Sequence, residues 1–267
     1  MPPEIPDPRL DVSVAHNARI WDYWLGGKDS YPVDRELGEQ IRRFFPEIVD
    51  IAVADRRFLV RAVTHLARDE GIRQFMDIGT GLPTHNNTHE VAQAVAPEAR
   101  VVYVDNDPVV LMHARALLTG TPEGATDYVD ADLRDPEAIL SAAGKTLDLG
   151  QPVALMLLGV VNFVADDAEV RVILDRLLEA LAPGSYLVLS HPTDDIDHDR
   201  AHRVARVWNG SGTPKITIRT APQIEALFDG LELLEPGVVS CPLWWPEPPG
   251  SDGTRPVAEY CGVARKG

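Results

Sequence analysis

The chain has 267 residues, with 25 Lys+Arg against 41 Asp+Glu, a formal net charge of −16, 45% hydrophobic and 25% charged residues. These are globular proportions, about two domain units in length at roughly 150 residues each, and they exclude a disordered or fibrous chain. A strongly acidic protein repels a phosphate backbone, which argues against a nucleic-acid partner, and two cysteines, Cys241 and Cys261, are too few for a disulfide scaffold or a four-ligand zinc site.

The start, MPPEIPDPRLDV, has neither the basic nor the apolar segment of a signal peptide. The longest apolar stretch, PVALMLLGVVNFVA, is too short to cross a bilayer and carries Gly159 and Asn162. A soluble, cytoplasmic protein with no membrane partner is expected. Val14, Ala18, Trp21 and Leu25 recur at helical spacing until Gly26-Gly27 stops them. A second helix is expected over 33–44, and a third from Pro46, a residue suited to a first helical turn, toward Gly71.

From residue 74 the rhythm changes. QFMDI precedes a helix from about residue 88, and RVVYV precedes a helix over 108–118. TDYV is followed by a helix over 136–143, PVALMLL by one over 167–181, and SYLVLS closes the series. Continuous apolar strands alternating with helices mean a parallel sheet covered on both faces. A helix over 221–228 then precedes LELLEPGVV, and VAEYCGVA ends the chain. These last two segments suit an antiparallel edge pair joined by PLWWPEPPGSDGTRP. The expected organisation is a helical cap over 1–73 and one compact α/β unit over 74–267.

The first βα turn carries the chemistry. Asp77-Ile78-Gly79-Thr80-Gly81-Leu82-Pro83 ends a strand and precedes a helix, and Gly79 and Gly81 let the backbone turn tightly against a ligand. The next strand ends in VDND, where the Asp105 carboxylate can accept from both hydroxyls of a ribose. The third glycine of a dinucleotide fingerprint is missing (Thr84 stands there), and Pro83 removes an amide donor. Asp77 would meet a pyrophosphate with like charge, but it suits a ligand with a cationic end, such as S-adenosylmethionine with its sulfonium and ammonium. A third acid, Asp132 in ADL, can accept from an adenine amine. Each acid also has a plainer reading: Asp105 or Asp107 as cap of the helix at Pro108, Asp132 as cap of the next helix, Asp77 as partner of loop amides.

DIGTG, the VDND strand end and the ADL turn resemble the motifs of class I S-adenosylmethionine-dependent methyltransferases over roughly residues 74–265. HNARIWDYWLGGKDSYPVDRE and LPTHNNTHEVAQAVAPEARVVYVDNDPVVLMHARALL resemble, more specifically, the actinobacterial S-adenosyl methyltransferase family long described as a domain of unknown function, over nearly the whole chain. That resemblance implies a Rossmann-like α/β fold with seven strands in the order 3-2-1-4-5-7-6, strand 7 antiparallel. It implies Asp77 with Gly79, Thr80 and Gly81 around the methionine part of S-adenosylmethionine, Asp105 and Asn106 at the ribose, Asp132 with Leu133 at the adenine, and Gly159 beside them. S-adenosylhomocysteine would be the product and the methyl acceptor a small molecule. The family names no acceptor.

Arg19 and Tyr23 share a helix face at i, i+4, so a guanidinium could pair with the cofactor's carboxylate while Tyr23 or Tyr31 covers it. A surface arginine and a packed tyrosine are the alternative. His85 and His89, like His198 and His202, stand four apart, but HExxH is absent and no metal is expected. Methyl transfer needs a base only if the acceptor loses a proton early. The crevice geometry points to Asn162 as a group orienting the acceptor and to His191 as a base, with Phe163 and Asp194 nearby. Trp208, Trp244 and Trp245 are candidate walls of an acceptor pocket. Two other readings stay open, a regulatory protein that binds the cofactor without turnover and an NAD-dependent oxidoreductase, the latter opposed by Asp77 and the missing glycine.

Overall fold

The computed structural model describes residues 11–117, 120–245 and 255–267. A two-residue strand, β1 (Ala15–His16), leads into three helices, α1 (Asn17–Trp24), α2 (Pro32–Phe44) and α3 (Ile48–Arg68). Alternation follows: β2 (Gln74–Ile78), α4 (Thr88–Val95), β3 (Arg100–Asp105), α5 (Pro108–Leu117), β4 (Ala125–Asp130), α6 (Pro136–Ala143), β5 (Ala154–Leu158), α7 (Asp167–Glu179) and β6 (Tyr186–Pro192). Next come α8 (His198–Ser211), β7 (Gly212–Thr213), α9 (Ala221–Glu225), β8 (Glu232–Leu233), β9 (Val239–Ser240) and β10 (Glu259–Arg265).

The main sheet runs β4-β3-β2-β5-β6-β10-β8, with β9 also paired to β10. β4, β3, β2, β5 and β6 are parallel, and β10 is antiparallel to its neighbours. This is the order the family resemblance implies, in a Rossmann-like α/β fold. One detail differs from expectation. LELLEPGVV is two short strands, because Pro236 has no N–H to give a ladder and Gly237, at φ 86, turns the chain back so that its N–H meets the Leu234 carbonyl at 2.8 Å. β10 lies between β6 and this broken strand, and the two form the expected antiparallel pair at that edge of the sheet. The connecting segment PLWWPEPPGSDGTRP falls partly outside the described residues.

Period-2 alternation decides which strand residues meet which layer. Phe75 of β2 packs in the cluster with Phe58, Leu59, Ala62 and Leu66 of α3, whereas Met76 and Ile78 pack in the cluster with Ile139 of α6 and Leu174 of α7. Asp77 therefore faces the α3 side. In β6, Val188 shares that side, and Leu187 and Leu189 belong to the other. A third cluster joins Ile20, Trp24, Leu37, Ile41, Phe45 and Ile48 of the first helices to Trp208 of α8. α8 was not expected, since HDRAHRVARVWNGS is largely polar; its buried stripe is only Ala201, Val204 and Trp208. Among the described residues, no helix is long and apolar enough to cross a membrane.

Candidate functional site

β2 ends at Ile78, and the chain turns through Gly79 (φ 77) and Gly81 (φ 65). The Gly79 N–H donates to the Val104 carbonyl at 2.8 Å, and a Cβ there would stand 2.4 Å from Cγ2 of Val160. At Gly81 the same Cβ would meet open space. Gly79→Ala should therefore cost about 2–4 kcal/mol, left-handed strain plus overpacking, and Gly81→Ala only about 1 kcal/mol. Urea denaturation of the two variants checks this, and equal losses would show that the Val160 contact does not matter.

Three acids stand at the carboxyl ends of neighbouring strands. Asp77 is buried and accepts from Oγ1 of Thr88 at 2.5 Å. Asp105 accepts from the Gly81 N–H at 3.1 Å and the Asp107 N–H at 2.9 Å. Burial pushes each of these carboxyls up to about 6, against the hydrogen bonds that favour the ionised form. Asp132 accepts from Nδ2 of Asn106 at 2.9 Å and from the Arg134 N–H at 2.8 Å. The plain capping roles belong to other residues: Asp107 accepts from the Val109 N–H at 2.8 Å, and Asp135 caps α6 through the Ala138 N–H at 3.1 Å. Asp105 is thus held against the glycine turn, and Asp132 beside Asn106, by contacts that leave carboxylate lone pairs for a ligand.

Beside the turn lies a cleft enclosing about 1290 Å³, its mouth included, between the sheet's carboxyl end and the first helices. Asp77, Gly79, Thr80, Gly81, Gly159 and Asn162 line it. Asp105 adjoins it through Gly81, and Asn106 and Asp132 continue the row toward β4. Leu133 beside them is buried in the core. Asn162 is itself buried, and its Oδ1 has no hydrogen-bond partner.

Several expected contributors are elsewhere. Arg19 is buried and committed to Asp34, with Nε 2.8 Å from Oδ2, while Nη2 donates to the Val14 carbonyl at 2.6 Å. Tyr23 donates its hydroxyl to Oε1 of Glu39 at 2.5 Å. Neither lines the cleft. His191 does not line the cleft. Strand β6 runs on to Pro192, so its imidazole faces away from the α3 side and is fully buried. Arg219 donates to Nε2 at 2.7 Å, which places the proton on Nδ1, 2.8 Å from the Pro192 carbonyl. Burial pulls this histidine down to about 3. Of the three tryptophans, Trp208 lines the cleft, whereas Trp244 is buried against Phe58 and stacks on Trp245. Trp21 and Trp24 line it as well.

His89 meets Tyr103 rather than His85. His198, His202 and Asp194 do converge, one possible ligand atom from each lying within 4.8 Å of the others.

Charged lining residues not expected from the sequence include Asp55, Arg56 and Glu259. Asp55 and Arg56 come from α3 and Glu259 from the start of β10. Arg56 donates to the His85 carbonyl at 3.1 Å and to Oδ1 of Asn87 at 2.9 Å, and its charge acts on both Asp77 and Asp55. One signal for Asp55 was present: it stands four residues from Ile51 and from Leu59, a carboxylate on the apolar stripe of α3.

A family model described as S-adenosyl methyltransferase matches residues 3–267. A DUF574 family protein from Streptomyces avermitilis is 49% identical, with a TM-score of 0.92 over 96% of this chain and 99% of that one. A candidate methyltransferase from Thermobifida fusca is 41% identical, with a TM-score of 0.88 over 98% of each chain. At 16% identity and a TM-score of 0.51, over 76% of this chain and 80% of its own, a SAM-dependent methyltransferase from Anabaena variabilis shares the fold. No curated protein matches.

Proposed function

The chain belongs to the S-adenosyl methyltransferase family, and from that membership we propose that it transfers the methyl group of S-adenosylmethionine to a small molecule held in the cleft. The observation that carries this reading is the row of carboxyls at three adjacent strand ends, Asp77, Asp105 and Asp132, beside a glycine turn with left-handed backbone. Such a row suits a ligand with two cationic centres, a ribose diol and an exocyclic amine, and it opposes a pyrophosphate.

In this reading Asp77 and the Gly79-Thr80-Gly81 backbone hold the amino-acid end, where the Arg56 guanidinium pairs with its carboxylate. Asp105 with Asn106 receives the ribose hydroxyls, Asp132 with Leu133 the adenine, and Gly159 lets the chain pass close beneath. The bound sulfonium supplies an electrophilic methyl group. The protein's work is to hold the acceptor in line with that methyl and to exclude water. Asn162, with its unpartnered Oδ1 in the cleft, orients the acceptor. The segment over 1–73 acts as the cap that closes the site, and 74–267 as the methyltransferase domain.

Calorimetry with S-adenosylhomocysteine tests the assignment. Asp105→Ala should weaken binding by about 1–3 kcal/mol, a factor of roughly 5–150, for two lost hydrogen bonds. Unchanged affinity would overturn the ribose assignment. Release of S-adenosylhomocysteine from S-adenosylmethionine in the presence of a metabolite extract, but not without it, separates an enzyme from a cofactor-binding regulator.

A further inference from the structure

The cleft extends beyond Asp77 and the glycine turn. Beyond Asn162 its walls are apolar and aromatic, formed by Trp21, Trp24, Phe45, Ile48, Trp208 and Ile216. Two carboxyl groups interrupt those walls, Asp55 of α3 and Glu259 at the start of β10. Glu259 is 2% exposed, and its Oε1 has no hydrogen-bond partner. Asp55 is 7% exposed and accepts from Oγ of Ser190 at 2.6 Å, and the same Oγ accepts from the Gly159 N–H at 3.0 Å.

The charges do not balance. Among the described residues lining the cleft, Asp22, Asp55, Asp77 and Glu259 face a single cation, Arg56, whose Nε and Nη2 are already engaged. A cationic cofactor would answer Asp77 and leave Oε1 of Glu259 without a donor, while Asp55 keeps its Ser190 hydrogen bond and the charge of Arg56. A buried carboxyl without a partner is costly, and a ligand that supplies the missing donor or cation recovers that energy.

Resting on the methyltransferase reading above, we propose that the acceptor is an amine carried on an apolar body, that its nitrogen is received by Glu259 and Asp55, and that this nitrogen is methylated. An alcohol or a carbon nucleophile would leave the second carboxyl unanswered, and a carboxylic acid would be repelled. Indole faces of Trp21, Trp24 and Trp208 also attract cations. The ammonium gives one proton to the Glu259 carboxylate, and the freed lone pair forms the N–C bond to the methyl carbon. The C–S bond breaks with its electron pair on sulfur, and the proton held by Glu259 then leaves to solvent. Glu259 is thus the group that takes the proton before transfer, a role that His191 cannot fill.

The test uses the full chain saturated with S-adenosylhomocysteine and three probes of one shape: phenethylamine, 2-phenylethanol and phenylacetate. The amine should bind at least about tenfold more tightly than the alcohol, one donor-acceptor pair with a charge on it being worth that much, and phenylacetate should not bind. In Glu259→Gln, which keeps size and shape, the preference for the amine should vanish while S-adenosylhomocysteine binds as before. Equal binding of amine and alcohol to the wild type, absence of amine binding, or an undiminished preference in Glu259→Gln would overturn the proposal. The wild-type comparison stands whether or not the variant folds. Failure of S-adenosylhomocysteine to bind the wild type would instead remove the methyltransferase reading, and this proposal with it.

Discussion

Replacing Asp34 by alanine will lower the unfolding free energy by about 3–5 kcal/mol, because it strands a buried guanidinium. Asp34 is fully buried at the start of α2, and its Oδ2 accepts from Nε of Arg19 and from the Tyr31 N–H, each at 2.8 Å. Its Oδ1 accepts from the His16 N–H at 2.9 Å. One carboxylate therefore joins β1, α1 and the entry to α2, and Arg19, 2% exposed, has no other acid within ion-pairing distance among the described residues. Alanine removes the counter-charge and three hydrogen bonds together. Replacing both partners by apolar residues, Arg19→Met with Asp34→Leu, should recover much of the loss, since the pair's own net worth is small once both desolvation penalties are gone. Urea denaturation of the three proteins checks this. A loss under about 1 kcal/mol for Asp34→Ala would mean that the first helices fold independently of the pair.

The same pair shows where sequence reasoning reaches and where it stops. Arg19 and Tyr23 do share a helix face, as their spacing requires, but spacing cannot say that an acid fifteen residues on is folded back against that face. The strands of the parallel sheet were legible because burial on both faces leaves continuous apolar runs, and the strand-end acids were legible because position in a βα unit fixes which end of the sheet a residue occupies. His191 illustrates the sharpest limit. A strand extending two residues further, to Pro192, decides which face of the sheet receives the imidazole. Ser190 then meets Asp55 on the cleft side and His191 meets Arg219 on the other. Glu259 was hidden for a related reason: its burial comes from β10 lying between β6 and the broken edge strand, and strand order is not local information. α8 was hidden by its polarity, since only three positions of its fourteen are buried.

Those buried groups make the ligand-free protein more stable on mild acidification, the reverse of the usual behaviour of a protein held by ionised carboxylates. Burial pushes Asp55, Asp77 and Asp105 each up to about 6, and Glu259 well above the ordinary carboxylate range. The folded state therefore binds protons that the unfolded chain has not yet taken, and stability rises as pH falls from above 6 toward 4, by about 2–3 kcal/mol for each of the three aspartates. His191 acts in the opposite sense. Pulled down to about 3, it stays neutral in the fold while the unfolded imidazole takes a proton below about 6.5, so stability is lost as pH falls, by about 3 kcal/mol at pH 4. Three carboxyls against one imidazole leave a net gain of a few kcal/mol between about pH 7 and about pH 4. Below that, Asp107 and Asp194, held lower than usual beside His16 and beside His198 and His202, begin to lose their contributions. A cationic ligand reverses the balance, because binding favours ionised Asp77 and drives protons off the acids. The ligand-free protein should melt higher at about pH 5 than at about pH 7.5, whereas S-adenosylmethionine should raise the melting temperature more at the higher pH. A ligand-free melting temperature that falls on acidification across this interval would mean that these acids are ionised in the empty cleft, and a ligand effect larger at about pH 5 would mean that they do not receive its charges.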